Sequence, residues 1–109
     1  MTILFGSNAI HAATLSEDNH KYRNALTLND QGRGAEALAL LAWLREKYPN
    51  VLRYRYDYAA IASASGEHAA TLSAINERDE GDVPHYVLKA MFRSALALHD
   101  ETRAERLRL

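Results

Sequence analysis

The feature that most constrains this chain is a spacing of 34 residues between similar segments. Gly32, Gly66 and Asp100 recur at this interval, and each stands between two helical-looking segments and precedes a stretch rich in Ala and Leu. Pro49 and Pro84 lie 35 residues apart and mark the other junction of the unit. Such a period, with a turn residue inside and a proline at the end, is typical of helical hairpins that stack into a solenoid. The sequence therefore predicts an all-α fold.

Capping and turn residues predict where each helix begins and ends. Ser16 is expected to cap a first helix that runs to about Gln31, where glycine can supply the left-handed residue that ends it. Asn50 is expected to cap the third helix. Pro84 suits the first turn of the fifth, because its missing N–H would have no partner there. The later helices are expected at about 34–47, 51–65, 69–78 and 85–98, with a stub of a sixth at 103–109.

These helices predict one domain of about two and a half repeats. The domain covers residues 16–109, with repeats at about 16–49, 50–83 and a truncated third at 84–109. The acidic linker Asp79–Asp82 interrupts the pattern and is expected to be a solvated turn between repeats. A calcium loop would need oxygen ligands at alternating positions over about twelve residues, so this short segment does not predict a cation site.

Residues 1–13 support two alternative interpretations. Their small and apolar residues, followed by a polar stretch from Ser16 to Arg23, match the back half of a secretory signal, although no Lys or Arg precedes Lys21. The alternative is a frayed, disordered tail without a function. The apolar run is shorter than the roughly 18 residues of a membrane span, so this segment predicts no membrane insertion.

Charge and residue types argue against several classes of function. Thirteen Lys and Arg balance fourteen Asp and Glu and the two signs are mixed, which predicts no nucleic-acid partner. There is no cysteine, and the five histidines lack the spacing that would pair two metal ligands on one helical face. Phosphate-binding loops and nucleophile motifs are also missing from the sequence, so we expect no cofactor, no metal and no catalysis.

Small residues at fixed places resemble tetratricopeptide repeats. Ala25 and Ala59 match the small position of the first helix in that family, and Ala37 matches the small position of the second. Thr71 and Arg93 stand where the later repeats would want Ala, and the Trp-Leu-Gly start of the family pattern is missing. The resemblance implies a tetratricopeptide-like solenoid of helical hairpins.

Two longer segments resemble a narrower group of proteins. YRYDYAAIASASG (54–66) and DVPHYVLKAMFRSA (82–95) are similar to the N-terminal periplasmic repeats of outer-membrane porins that export poly-N-acetylglucosamine in biofilms. This resemblance spans about residues 30–105. It implies a periplasmic or outer-membrane location and contact with partly deacetylated polymer or with a periplasmic deacetylase. The alternative is a cytoplasmic scaffold that holds a peptide or protein partner.

The tetratricopeptide register also implies which residues line the groove formed by the first helices. Tyr56 offers a flat ring with a wet hydroxyl, and the neighbouring Asp57 can pair with a cationic amine. The predicted ligand-binding residues are Asn29, Asp30, Arg53, Tyr56 and Asp57. Tyr54 and Tyr58 are instead expected to fill gaps between repeats.

Overall fold

The computed structural model describes the backbone of residues 2–108 and the side chains of residues 15–108. This part of the chain is all-α, as predicted, and its helices pack in sequential pairs. The described elements are α1 (Thr2–Asp30), α2 (Gly34–Lys47), α3 (Leu52–Ala64), α4 (His68–Ala74), a 3-10 helix (Glu77–Asp82), α5 (His85–Ala97) and α6 (Glu101–Arg106). The pairs are α1 with α2, α3 with α4, and α5 with α6, and each pair packs against the next.

The turn inside each pair has the same hydrogen-bond pattern. At Gly32, with φ of +78°, two backbone N–H groups bond back to carbonyls of the last helical turn at 3.0 and 2.8 Å. The equivalent bonds measure 3.1 and 2.8 Å at Gly66, and 3.1 and 2.9 Å at His99. This is the Schellman motif, which satisfies carbonyls that a helix end leaves without partners. The internal repeat is therefore present in the backbone.

The third turn differs from the predicted register by one residue. His99, rather than Asp100, occupies the left-handed position, with φ of +58°. Asp100 instead caps α6, because its carboxylate accepts a hydrogen bond from the backbone N–H of Arg103 at 3.1 Å. The repeat is thus 34 residues long between the first two turns and 33 residues long between the last two.

The corrected register changes which residues are equivalent in the third pair. Phe92, rather than Arg93, follows Ala25 and Ala59 at the close-contact position of the first helices. Both alanines are fully buried, whereas Phe92 is only partly buried. The matching position of the second helices is buried in all three pairs and is occupied by Ala37, Thr71 and Ala104.

Two predicted N-caps are wrong. Ser16 lies within α1, whose helical backbone continues on both sides of it. Asn50 lies in the turn before α3, and Val51, whose backbone is extended, holds the N-cap position. The Val51 N–H closes the turn by donating to the Tyr48 carbonyl at 3.0 Å. The interpretations of residues 1–13, a signal remnant or a disordered tail, concern residues that lie outside the described side chains.

The end of the second pair depends on an ion pair that the sequence analysis missed. α4 stops before the predicted end at Arg78, and the 3-10 helix follows. The Arg103 guanidinium donates to the carbonyls of Leu72 at 3.0 Å and Ile75 at 3.2 Å, near the C-terminal end of α4. It also binds the buried Glu80 carboxylate at 3.0 Å. The expectation of a solvated turn is therefore wrong for Glu80, which takes part in the packing between pairs, whereas Gly81 and Asp82 of the linker are exposed.

Each hydrophobic core joins one pair to the first helix of the next. In the first core, α1 and α2 meet the α3 residues Tyr54 and Ile61. In the second, α3 and α4 meet the α5 residues Val87 and Met91, and α6 closes the far side. Tyr54 is fully buried and Tyr58 packs against both cores, so the predicted gap-filling role of these two rings is confirmed.

The left-handed residues generate a stability prediction. His99→Gly should stabilise the chain by about 0.5 to 1 kcal/mol, because glycine adopts positive φ without the steric cost that a side chain incurs. Gly66→Ala is the matched opposite, and a Cβ there would meet no atom within 4 Å. It should therefore cost about 1 kcal/mol for backbone reasons alone. Urea denaturation followed by circular dichroism measures both, and a destabilised His99→Gly variant would contradict this account of the turn.

Candidate binding face

The first helices of the three pairs lie side by side and run in the same direction. In the second half of α1, Asn19 accepts hydrogen bonds from Arg53 at 2.6 Å and from Tyr54 at 3.1 Å, both at the start of α3. We call the surface made by Asn19, Tyr22, Arg53, Asp57 and Tyr86 the first-helix face. It draws on α1, α3 and α5, so stacking of the pairs is what creates it.

A single carboxylate connects these three helices. The Tyr22 hydroxyl on α1 donates to Asp57 Oδ2 at 2.6 Å, and the Tyr86 hydroxyl on α5 donates to Oδ1 at 2.6 Å. Both bonds have the short length expected when the acceptor is ionised. Asp57 on α3 is partly buried between the two rings, so the carboxylate is fixed in position.

The burial of the two rings and the Asp57 carboxylate change the pKa values of Tyr22 and Tyr86. Burial and, second to it, the hydrogen bond to Asp57 raise the pKa of Tyr22 to about 12. The same two causes, in the same order, raise the pKa of Tyr86 above its ordinary value. Ionising either ring would place a second negative charge beside the carboxylate, which both causes oppose. Both hydroxyls therefore stay protonated and act as donors at neutral pH.

No lysine, arginine or histidine among residues 15–108 forms an ion pair with Asp57. The nearby guanidinium of Arg53 lies over the rings of Tyr22, at 5.3 Å, and Tyr54, at 5.1 Å. Arg53 thus stacks on aromatic rings and binds Asn19 instead of neutralising the carboxylate. The first-helix face therefore presents a fixed anion beside aromatic surface.

The predicted site residues fall into three places. Arg53 and Asp57 belong to the first-helix face. Tyr56 lines a neighbouring cleft of about 180 Å³ between α3 and the 3-10 helix, and it lies close enough to Tyr86 to raise the pKa of that phenol. Asn29 and Asp30 lie at the C-terminal end of α1, where Asn29 is close to Gly34, the first residue of α2. The structure does not bring these last two residues to the carboxylate.

Sequence reasoning missed Tyr22 and Tyr86. The repeat itself contains a signal for both, because Tyr22 is the α1 equivalent of Tyr56, and Tyr86 is the α5 equivalent of Arg53. Reading those positions across all three pairs would have placed two more hydroxyls on the same surface. The second equivalence becomes visible only with the 33-residue spacing of the last turn.

A second polar cluster holds the first pair together. The buried Asp18 carboxylate accepts hydrogen bonds from Tyr48 at 2.5 Å and from Lys47 and Lys21 at 2.9 Å each. These bonds, that from Tyr48 first, hold the pKa of Asp18 well below its usual range. Trp43 lies 5.0 Å from the Lys21 amine and 4.7 Å from that of Lys47. The cluster links α1 to the end of α2.

The described residues contain one serine and histidine pair. His68 Nδ1 lies 2.9 Å from Ser94 Oγ, which in turn donates to Ser63 Oγ at 2.9 Å. Ser63 donates to the Ala90 carbonyl at 3.0 Å, so the chain of bonds joins α3, α4 and α5. Ser94 is fully buried. A substrate could not reach it, so these contacts serve packing.

Comparisons with protein-family models, with curated proteins and with solved structures found no match. Within the described residues, no helix combines the length and the apolar character needed to cross a membrane.

Removing the bridging charge should change the titration of its tyrosine partners. In Asp57→Asn, the pKa of Tyr22 should fall from about 12 toward the ordinary value of about 10 without reaching it, because burial remains. Carbon-13 NMR of labelled tyrosine rings resolves each phenol as pH rises. Asp30→Asn is the matched control at the C-terminal end of α1, and it should leave Tyr22 unchanged. An unaltered Tyr22 titration in Asp57→Asn would contradict the bridge.

The Asp18 cluster predicts a pH-dependent contribution to stability. Because its folded pKa is depressed, the Asp18 carboxylate stabilises the fold above its unfolded pKa of about 4, and this contribution is lost as pH falls through the lower folded value. Asp18→Asn should therefore lower the urea midpoint at pH 7, and its difference from wild type should narrow at acidic pH. Asp30→Asn removes an exposed carboxylate, and its urea midpoint should differ from that of wild type by the same amount at neutral and acidic pH. A constant difference across pH would contradict the charge-based explanation.

Proposed function

We propose that this chain is a non-catalytic binding module of the tetratricopeptide type, whose first-helix face holds a ligand that carries amines and hydroxyls. The observation that supports this proposal is the Asp57 carboxylate, fixed by two tyrosine hydroxyls and without a cationic partner among residues 15–108. A buried or half-buried anion is costly unless it is paired or hydrogen-bonded. An incoming ammonium would complete the pairing.

The geometry leaves room for such a ligand on the carboxylate. An ionised carboxylate offers about four acceptor sites, and the two tyrosine hydroxyls use one site on each oxygen. The Tyr86 side chain is 47% exposed, so part of its ring is open to a partner. A flat ring gives apolar contact to a sugar or peptide while its hydroxyl remains hydrogen-bonded. Together these groups suit a ligand with a cationic amine beside an apolar or sugar surface.

The ligand that we propose is partly deacetylated poly-N-acetylglucosamine. Its free amines are cations, its ring hydroxyls can bond to the tyrosines, and the resemblance of residues 54–66 and 82–95 to periplasmic repeats of export porins supplies the name. In that setting the module would act in the periplasm or at the outer membrane, and it would guide the polymer or dock the deacetylase. The alternative is a cytoplasmic scaffold that binds a lysine-containing peptide on the same face.

Binding is tested by NMR titration of nitrogen-15-labelled protein with glucosamine tetramers. The fully de-N-acetylated tetramer should give saturable amide shifts around Tyr22, Asp57 and Tyr86, whereas the fully acetylated tetramer, which has no cation, should give none. Asp57→Asn should weaken binding at least about tenfold, since a charge-assisted bond is worth at least about 1.4 kcal/mol.

Two controls separate the proposed ligands and locate the site. Asp30→Asn removes a carboxylate at the C-terminal end of α1 and should leave the affinity unchanged, because Asp30 takes no part in the bridge. A lysine-containing peptide titrated in parallel tests the alternative function. Shifts with the peptide alone would favour the scaffold, and the absence of shifts with millimolar amine tetramer would overturn direct polymer binding.

A further inference from the structure

The outer face of the third pair differs from the equivalent faces of the other two. In the first and second pairs this face is covered by the first helix of the next pair, at the fully buried Ala25 and Ala59. The equivalent residue in the third pair is Phe92. Small residues there allow two helices to approach closely, whereas a phenyl ring holds an incoming helix away.

The second helix of the third pair also departs from the pattern. Arg108 stands where the first two pairs have the buried Leu41 and Ile75. One turn earlier, Glu105 takes the place of Leu38 and Leu72, which pack against the two cores. Arg108 and Glu105 form an exposed ion pair with each other at 3.6 Å. A further pair stacked here in the same geometry would take this ion pair out of water, and the desolvation cost can exceed the attraction between the two charges. This face is therefore poorly suited to another pair of the same kind.

An apolar ridge, partly buried at Leu88 and Phe92 and exposed at Leu96, nevertheless runs along α5. Leu88, Phe92 and Leu96 recur every four residues, and Leu96 is 51% exposed. The first two pairs have polar residues at the positions of the two leucines. Lys21 and Arg55 are the equivalents of Leu88, and Asn29 and Ser63 are the equivalents of Leu96. A depression of about 190 Å³ lies beside the ridge, between α5 and α6. The third pair thus presents more apolar surface on its first helix than the pairs whose faces are covered.

The opposite end of the described array cannot cover this ridge. Where α3 and α5 dock on the preceding pair, they use Tyr54 and Val87 at one position and Tyr58 and Met91 one turn later. The α1 equivalents are His20 and Asn24, and Thr27 follows at the next contact position; all three side chains are polar and exposed. Head-to-tail stacking of two copies would therefore set polar groups against the apolar ridge.

We propose that this face is an interface between two copies of the chain, in which the α5 ridges pack against each other. Ridges with a four-residue spacing interdigitate with one another, and this is the commonest mode of helix packing. A two-fold axis makes the same surface serve both partners. The ridge is small compared with a standard interface, so the dimer is weak, with a Kd on the order of tens of micromolar.

The charges beside the ridge determine the orientation of the two copies. Exposed Lys89 and Arg93 lie on one flank of α5. On the other flank, α6 carries exposed Glu101 and Glu105, and Glu105 is paired with Arg108 at 3.6 Å, so Glu101 is the carboxylate there without an ion pair among the described residues. A two-fold axis running along the helices exchanges left and right, so the basic flank of one copy faces the acidic flank of its partner. An axis across the helices would set like charges together. The α5 helices are therefore parallel in the dimer.

Sedimentation equilibrium of the full chain between about 5 and 500 µM tests the interface. The wild-type chain should shift from monomer to dimer over this range, and Leu96→Glu should raise the Kd at least about tenfold. Leu52→Glu is the matched control, because Leu52 is 47% exposed on α3 and lies outside the ridge. It should dimerise like wild type, and thermal unfolding by circular dichroism checks that both variants fold.

A charge exchange tests the orientation. Lys89→Glu should weaken the dimer, and adding Glu101→Lys to the same chain should restore it, because the two positions then face each other with reversed signs. A wild-type chain that stays monomeric at 500 µM would overturn the proposal. So would a dimer that Leu96→Glu leaves intact, since another surface would then form it. Failure of the charge exchange to restore the dimer would overturn the parallel arrangement.

Discussion

The whole fold depends on one packing relation, in which the first helix of each pair completes the core of the pair before it. Neither described core belongs to a single hairpin, because Tyr54 and Ile61 complete the first and Val87 and Met91 complete the second. A hairpin of two short helices buries too little apolar surface to be stable alone, so each pair is ordered by its neighbour. This relation also sets α1, α3 and α5 side by side, which is the condition for any surface shared among them.

The turns decide how far the repeat can be read from the sequence. Gly32 and Gly66 could be located because glycine adopts positive φ without steric cost, and the structure places both in the left-handed region. The third turn was missed by one residue because His99 adopts that conformation without the usual sequence signal. The end of α4 could not be predicted at all, since it depends on Arg103, a residue of a later helix that reaches the Leu72 carbonyl.

For the binding face too, local sequence could identify some of the residues, but the contacts between distant residues could not be predicted. Asp57 and Arg53 could be selected because the helix that carries them follows from nearby residues. The contacts that define the face, from Tyr22 and Tyr86 to the Asp57 carboxylate, join residues 35 and 29 positions apart in sequence. Both contacts depend on the packing of three helices, and the contact of Tyr86 depends also on the 33-residue spacing of the last two turns; a helical pattern contains neither. Residue types could indicate that the site combines a carboxylate with aromatic rings, but they could not identify Tyr22 and Tyr86 as part of it.

The position of Asp57 within the repeat is itself an argument for function. Its equivalent on α5 is Ala90, which is buried in the same kind of contact between first helices. A small apolar residue is therefore sufficient for packing at this position. A carboxylate there must be desolvated, and its two hydrogen bonds offset that cost without exceeding what well-packed apolar groups provide. Packing on the preceding first helix alone thus does not require the aspartate, and in the function proposed above its fixed charge would pair with a cationic ligand on the first-helix face.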